Sequence, residues 1–445
     1  MNTLHLRSWT LRLASVAAGV LAVGCFAIPA AYASPGDLSF VGCTGLLPDC
    51  TSTNPVDALT GAAAVAVTPD GMNMYVASQT TFAISHFTLD LAGNTTYAGC
   101  TGEHPGCTPI SPLVPLASVS ALAVSPDGKH LFVTHFQYPS TLGSGVSEFT
   151  IDAAGNLTFD GCYGYPSGCT PFGTGQELDD ADAVAVTRDG KNLYVASLSG
   201  SISHFIIGPD NNLIYSGCIG NGTKGCSEDT NSGLTPSGLA VTPDGKNLYA
   251  SSYNGMVTHF GIDTAGNLTY ADCNGNSAGC TPISPGGALS LARGVLVSPD
   301  GRNVYASAAH AVTHFRLGGT GSLYFAGCTG DVTGCHATTP VAALDGFNAA
   351  LATTYDGAHL YVTSNQGSEV SRFGVDSAGN LNYLGCTGEL TGCGGTTVIH
   401  ALDGADGLAV APNDAHLYVA GGSGNDVSDF TIAGFSSLAC PATPG

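Results

Sequence analysis

The stretch that decides the fold runs SGLAVTPDGKNLYAS over residues 237–251. It contains an apolar run, a Pro-Asp-Gly turn and a second apolar run with a tyrosine. Proline presets φ in the turn and glycine permits positive φ, so the two runs are predicted to pair as an antiparallel hairpin. Copies of this phrase recur every 55–62 residues along the chain. We centre the seven copies on Asp70, Asp127, Asp189, Asp244, Asp300, Asp356 and Asp414.

Each repeat has two further short apolar segments after that hairpin. In the fourth copy they are residues 256–262 and 268–271, separated by a second turn. Four short strands per repeat cannot bury their apolar faces alone, so neighbouring repeats must stack. The sequence therefore predicts an all-β fold: a seven-bladed β-propeller with four antiparallel strands in each blade.

The two ends of the chain are offset from the repeats. The last copy has a third strand at residues 427–430 but no fourth strand with a cysteine pair, whereas residues 37–43 match a fourth strand. We expect this N-terminal strand to close the ring as the outer strand of the last blade, because closure removes free strand edges. Residues 435–440 could compete for the same edge.

The first 33 residues have the pattern of a secretory signal. Arg7 and Arg12 precede an apolar run, and small residues at 31–33 form a cleavage site; a lipoprotein signal ending at Cys25 is the alternative. We divide the chain into a signal peptide, residues 1–33, and a propeller, residues 34–445. The protein is then expected to be secreted, periplasmic or on the cell surface. No other stretch has the ~20 apolar residues that a membrane-spanning helix needs.

Cysteine spacing also indicates an oxidising compartment. Fourteen of the 16 cysteines form close pairs with six or seven residues between them. Zinc sites favour shorter spacings, so disulfides are the better interpretation. We predict local pairing, with pairing between blades as the alternative, and Cys440 is left over. The local pairs are Cys43 with Cys50, Cys100 with Cys107, Cys162 with Cys169, Cys218 with Cys226, Cys273 with Cys280, Cys328 with Cys335 and Cys386 with Cys393.

The charge balance limits the partners. The chain has 33 acidic residues against 11 lysines and arginines, a formal net charge of −22. Such a field repels nucleic acid and disfavours anionic ligands unless cations gather locally. We expect a monomer that binds a glycan, a protein or a small lactone, with no nucleic-acid partner and no membrane span.

One repeat resembles a known family. The segments SPDGKHLFVT at 125–134, VSEFTID at 146–152 and GNLT at 155–158 resemble the lactonase propellers, which include 6-phosphogluconolactonase-like enzymes and border on YVTN-type propellers. The resemblance covers nearly all of the chain after residue 33 and implies the seven-bladed fold. Enzymes of that family often carry Arg-His ahead of an inner strand, and here only Arg293 matches. We therefore expect a ligand-binding or interaction protein acting through its channel face, with a hydrolase that opens a neutral lactone as the alternative.

Any site is expected on the face that carries the cysteine loops, because the Pro-Asp-Gly turns opposite are regular. For catalysis, the candidate polar groups are Arg293, Glu103, His104 and His135. For ligand binding, the candidates are aromatic residues of one long loop and of the cysteine ring after it, although this insertion could also pack on itself. These aromatic residues are Phe136, Tyr138, Tyr163 and Tyr165.

Two further sets of residues repeat around the ring. Inter-blade loops bring carboxylates near the channel, where they form either a calcium site or a solvated acidic rim; calcium is the one cofactor suggested. The carboxylates are Asp179, Asp182, Asp403 and Asp406. Histidines recur at one position of the third strand, and we predict a structural role because residues on separate blades do not converge. These histidines are His86, His204, His259 and His314.

Overall fold

A computed structural model describes the chain from residue 33 to residue 435. The description omits residues 112–115, 117, 137–143, 165–167, 174–176, 209–211, 221, 223–224, 229–232 and 347. The predicted signal peptide and Cys440 lie outside the described residues.

The described strands form seven sheets, and each sheet is one blade of a β-propeller. Blade 1 contains β2 (Ala62–Val67), β3 (Asn73–Ser78), β4 (Ala83–Leu89) and β5 (Thr95–Gly102). Blade 2 contains β6 (Val119–Val124), β7 (His130–His135), β8 (Gly145–Ile151) and β9 (Leu157–Gly164). Blade 3 contains β10 (Ala181–Val186), β11 (Asn192–Ser197), β12 (Ser201–Ile207) and β13 (Leu213–Gly220), with β14 (Ser227–Glu228) added parallel to β13.

Blade 4 contains β15 (Pro236–Val241), β16 (Asn247–Ser252), β17 (Met256–Ile262) and β18 (Leu268–Gly275). Blade 5 contains β19 (Val295–Val297), β20 (Asn303–Ala308), β21 (Ala311–Leu317) and β22 (Leu323–Gly330). Blade 6 contains β23 (Asn348–Thr353), β24 (His359–Ser364), β25 (Glu369–Val375) and β26 (Leu381–Gly388). Blade 7 contains β27 (Ala405–Val410), β28 (His416–Gly421), β29 (Asp426–Ile432) and β1 (Leu38–Gly45). Single 3-10 turns at Gly286–Leu289 and Val341–Leu344 precede blades 5 and 6.

The N-terminal strand closes the ring as predicted. β1 pairs antiparallel with β29 from Leu38 opposite Ile432 to Gly45 opposite Asp426. The segment before β1 also docks on blade 6, where Arg372 forms an ion pair with Asp37. The first and last described strands therefore belong to one sheet, which gives the last blade four antiparallel strands.

One detail of the repeat alignment was wrong. In the seventh copy the residue that caps the turn is Asn413, whose Oδ1 accepts a hydrogen bond from the Ala415 N–H at 3.0 Å, as Asp70 does for Met72 in the first copy. Asp414 instead takes the glycine position with φ of 57°. The repeat alignment therefore shifts by one residue in blade 7, so that Asp406 there corresponds to Arg293 in blade 5.

Most blade interfaces share one clasp. In blade 4, Tyr249 is fully buried, stacks on His259 at 5.1 Å, and donates a hydrogen bond from its hydroxyl to the carbonyl of Gly321 in blade 5 at 2.6 Å. The His259 ring bonds to Asn247 Oδ1 at 2.9 Å. The repeated histidines thus pack inside the blades, as predicted. The same tyrosine hydroxyl to glycine carbonyl bond joins Tyr75 to Gly155, Tyr194 to Gly266, Tyr305 to Gly379, Tyr361 to Gly36 and Tyr418 to Gly93.

The seven predicted disulfides form locally, so the alternative of pairing between blades was wrong. Each bond joins the outer strand of a blade to the loop that leads to the next blade. Each small ring contributes about 2–3 kcal/mol in the chain-entropy account and holds the loop entering the next inner strand. The bonds join Cys43 to Cys50, Cys100 to Cys107, Cys162 to Cys169, Cys218 to Cys226, Cys273 to Cys280, Cys328 to Cys335 and Cys386 to Cys393.

The described residues form strands, turns and loops almost throughout. Among them, no helix is long and apolar enough to cross a membrane.

Candidate functional site

A cavity of about 290 Å³ lies on the propeller axis and is lined by residues from all seven blades. Small residues of the inner strands form most of its wall, because seven strands crowd the axis there. Three charged side chains interrupt this wall: Arg293 from blade 5, Asp182 from blade 3 and Asp406 from blade 7. Each stands where a cysteine loop enters the inner strand, on the face where a site was expected.

The strand register explains why these positions face the cavity. In blade 3, Ala181 pairs with Ser197 and Ala183 with Ala196, so Asp182 is the extra residue of a β-bulge. Bulges redirect a side chain and interrupt a ladder, and they are common beside functional sites. Counted from the corrected turn at Asn413, Asp406 holds the same position in blade 7, and Arg293 holds it in blade 5.

Hydroxyl groups of the preceding blade hold these positions in place. Ser251 Oγ donates to the carbonyl of Arg293 at 2.6 Å, and Thr363 Oγ1 donates to the carbonyl of Asp406 at 3.0 Å. Both hydroxyls lie on second strands and are fully buried. The backbone of Arg293 and of Asp406 is therefore fixed before any ligand arrives.

Tyr253 and Asn365 complete the site from the loops that follow the second strands. Arg293 Nε donates to the Tyr253 hydroxyl at 2.9 Å, and the guanidinium carbon lies 5.6 Å from the centroid of that ring. The Asn365 amide donates to Asp406 Oδ1 at 2.7 Å. The two neighbours orient one cation and one carboxylate toward the cavity.

The two carboxylates are tuned by burial and by the arginine. Burial raises the pKa of Asp182 to about 6, although the positive charge of Arg293 acts in the opposite direction. Burial also raises the pKa of Asp406, against the hydrogen bond from Asn365 and the charge of Arg293. A carboxyl that titrates near neutral pH in a cavity can accept or release a proton there.

The other predicted catalytic groups lie elsewhere. Glu103 and His104 belong to the cysteine loop after blade 1, where His104 Nε2 lies 3.2 Å from Asp57. Burial raises the pKa of Glu103. His135 is buried at the end of β7. Of the four predicted groups, the described cavity wall includes Arg293 alone, so the structure does not assemble them into one constellation.

The aromatic candidates are divided as well. Phe136 is half-buried and follows β7, in the blade 2 position that corresponds to Tyr253 and Asn365. Tyr163 packs between blades 2 and 3, with its ring 5.5 Å from Phe205, and its hydroxyl bonds to the Leu213 carbonyl. Tyr138 and Tyr165 lie outside the described residues.

The four carboxylates considered for calcium also separate. Asp182 and Asp406 face the channel with Arg293, whereas Asp403 accepts a hydrogen bond from His400 at 2.8 Å. Asp179 is half-buried, and burial raises its pKa. Within the described part of the chain, no three of the four bring ligand atoms within 4.8 Å of one another.

Sequence reasoning missed Tyr253 and Asn365 as site residues. The signal was available: the residue after the second strand varies more than any strand position. It is Gln79, Phe136, Leu198, Tyr253, Ala309, Asn365 and Gly422 in blades 1 to 7. A position that changes chemistry in every repeat of a regular scaffold indicates a site.

Solved structures show the same architecture. A putative 6-phosphogluconolactonase from Bacteroides uniformis is similar with a TM-score of 0.57 and 18% identity, covering 85% of this chain and 94% of that one. A periplasmic gluconolactonase from Pseudomonas aeruginosa has a TM-score of 0.51 and 17% identity, covering 80% and 93%. No family description and no curated protein matches the sequence. At these identities the similarity establishes the β-propeller fold.

Proposed function

We propose that the channel site binds a neutral, polyhydroxylated small molecule of the sugar or sugar-lactone class, outside the cytoplasm. The observation that carries this proposal is the meeting of Arg293, Asp182 and Asp406, from three separate blades, in one cavity. Carboxylates accept hydrogen bonds from ligand hydroxyls, and a guanidinium donates to a hydroxyl or a carbonyl. The seven disulfides support an oxidising compartment.

The charges of the site favour a neutral ligand. One arginine faces two carboxylates, so the site offers no excess of positive charge to a phosphate or a carboxylate. The formal net charge of −22 acts in the same direction. The volume of about 290 Å³ lies at the lower end of ligand cavities and suits a molecule of monosaccharide size.

Calorimetric titration tests this proposal with glucose, gluconolactone and gluconate as probes. We expect the two neutral probes to bind and the anion gluconate to bind at least about tenfold more weakly. Arg293→Met and Asp406→Asn should abolish binding, whereas Arg302→Met, which removes a cation on the opposite face, should retain it. Equal binding of the three probes, or binding that survives Arg293→Met, would contradict the proposal.

Lactone hydrolysis is the second candidate, and the pKa of Asp182 favours it. A carboxylate with a pKa of about 6 is mostly ionised at neutral pH and could take a proton from water as it attacks the lactone carbonyl. Arg293 would stabilise the negative charge that develops on the carbonyl oxygen. The ring C–O bond then breaks, and its oxygen leaves with a proton as the new hydroxyl group.

Proton release from gluconolactone, corrected for the spontaneous rate, tests this second candidate. We expect activity to fall on the acid side of about pH 6 and to drop about 100-fold in Asp182→Asn. Binding without any rate above the buffer rate would reject hydrolysis and leave the binding function in place.

A further inference from the structure

A second, larger cavity opens at the other end of the channel. Its volume is about 630 Å³, and its wall contains the far ends of the inner strands. Val186, Val241, Leu296 and Val410 make this wall apolar. The cavity lies on the face of the Pro-Asp-Gly turns, which the regular sequence pattern assigns to structure alone.

Two turns on this face break the pattern. The residue before the turn aspartate, or before Asn413 in blade 7, is proline in five repeats: Pro69, Pro126, Pro243, Pro299 and Pro412. It is Arg188 in blade 3 and Tyr355 in blade 6, and both side chains line the apolar cavity. The two exceptions therefore line one and the same cavity.

Arg188 does not take over the packing role of the prolines. Each proline lies against the turn glycine of the next blade; a Cβ placed on Gly301 would lie 3.4 Å from Pro243. At Gly245, which follows Arg188 around the ring, a Cβ would meet nothing within 4 Å. Arg188 is exposed, and among the described residues it makes no hydrogen bond and no ion pair.

Tyr355 is held in place through its backbone. Its N–H donates to Asp414 Oδ1 at 2.5 Å, and Asp414 occupies the glycine position of the next turn. The side chain keeps 58% of its surface exposed. An exposed aromatic ring beside apolar strand ends offers a stacking surface, and the guanidinium of Arg188 in the same cavity wall offers two parallel donors.

We propose that this cavity binds a small amphiphilic monocarboxylate, with its apolar body against the inner-strand valines and Tyr355 and its carboxylate on Arg188. Arg188 is the one charged side chain in the described wall of this cavity. One carboxylate is therefore matched by the arginine, whereas the second charge of a dianion has no cation opposite it in that wall.

Ligand-observed NMR on the full propeller tests the proposal with four probes: phenylacetate, octanoate, the neutral analogue phenylethanol and the dianion phthalate. We expect both monocarboxylates to bind, and phenylethanol and phthalate to bind about tenfold more weakly or not at all. Arg188→Pro restores the turn that the other repeats use and should lower the affinity for phenylacetate about tenfold. Arg188→Gln provides the same test without a change of backbone.

Two control variants distinguish this cavity from the rest of the surface and from the channel site. Arg302→Met removes a cation from the same face and should leave phenylacetate binding unchanged, as should Arg293→Met in the channel site. Absence of monocarboxylate binding, or binding unaffected in both Arg188 variants, would overturn the proposal. Loss of binding in Arg293→Met would also overturn it, by placing the probe in the other cavity.

Discussion

The interface between blades 2 and 3 differs from the other six interfaces of the ring. Where those have a buried tyrosine, blade 2 has Phe132, which lacks the hydroxyl that would bond to the next blade. At the third-strand position, Glu148 replaces the common histidine and accepts a hydrogen bond from the Leu213 N–H of blade 3. The carboxyl thus makes the bond between blades that the tyrosine makes elsewhere.

The hydrogen bond between neighbouring blades is therefore kept around the ring, although the residues that make it differ between blades. In blades 6 and 7 the third-strand histidine is also replaced, by Arg372 and Asp429, and the asparagine partner becomes a histidine. His416 and Asp429 then bond at 2.7 Å. In blade 7 this paired change gives both buried polar groups a partner. In the channel, Arg293 and Asp406 instead bond to Tyr253 and Asn365 of the preceding blade.

The largest expected effect on stability comes from adding a side chain at the clasp glycine, where the asparagine and histidine of the preceding blade leave no space. Gly266 has φ of +86°, and a Cβ there would overlap Asn192 and His204. Gly266→Ala should therefore lower the free energy of unfolding by about 3 kcal/mol, from overpacking and left-handed strain together. Denaturant unfolding measures this change. Gly161→Ala is the matched control, because a Cβ there meets nothing within 4 Å; equal losses would refute the role of the clasp.

The second prediction concerns pH and separates the two kinds of interface. Burial raises the pKa of Glu148 to about 8, from 4.5, with Asp160 adding to the shift. Between pH 4.5 and about pH 8 the folded state keeps a proton on Glu148 that the unfolded state has lost. The free energy of unfolding therefore falls as the pH rises through this range. Glu148→Gln keeps an acceptor for Leu213 without the titration. The free energy of unfolding of this variant, relative to that of the wild type, should rise by about 2 kcal/mol between pH 5 and pH 8.

A histidine clasp should show the opposite dependence. Burial lowers the pKa of His204 to about 4, from 6.5, so the unfolded state binds a proton first and stability falls as pH drops through that range. His204→Gln should therefore flatten the acid side of the stability profile, and Glu148→Gln the alkaline side. Urea unfolding midpoints measured across pH for both variants and the wild type test these two changes. The same change in the slope of stability against pH in both variants would contradict the opposite signs expected.

The smallest effect is expected from removing one hydroxyl group. Tyr249→Phe leaves the carbonyl of Gly321 without its bond from blade 4 and should cost about 1 kcal/mol. Tyr324→Phe is the control, because that ring is 63% exposed, and its change should stay within about 0.5 kcal/mol of zero. A clasp tyrosine no more sensitive than Tyr324 would mean that packing alone holds the blades together.

Repeats made the fold predictable, and departures from them made the site hard to predict. Strand order follows from one phrase and its spacing, ring closure from the offset of the N-terminal strand, and the local disulfides from the regular spacing of the cysteine pairs. Asp406 was already a candidate carboxylate, but the misplaced turn at Asp414 hid its equivalence to Asp182 and Arg293, which appears once Asn413 is the reference. Spacing places Tyr253 and Asn365 at one variable position of the repeat, but only the closed ring shows that they bond to Arg293 and Asp406 of the next blade.

Ring closure by β1 has a consequence for biosynthesis. The strand that the ribosome completes first is the last to find its partner, since β29 is made only at the opposite end of the chain. Until then β1 cannot hydrogen-bond within its native sheet, and blade 7 stays one strand short. Blades 1 to 6 can assemble in order during synthesis, whereas the final seal forms only after residue 432 has emerged. Truncation from either end should therefore open the same blade.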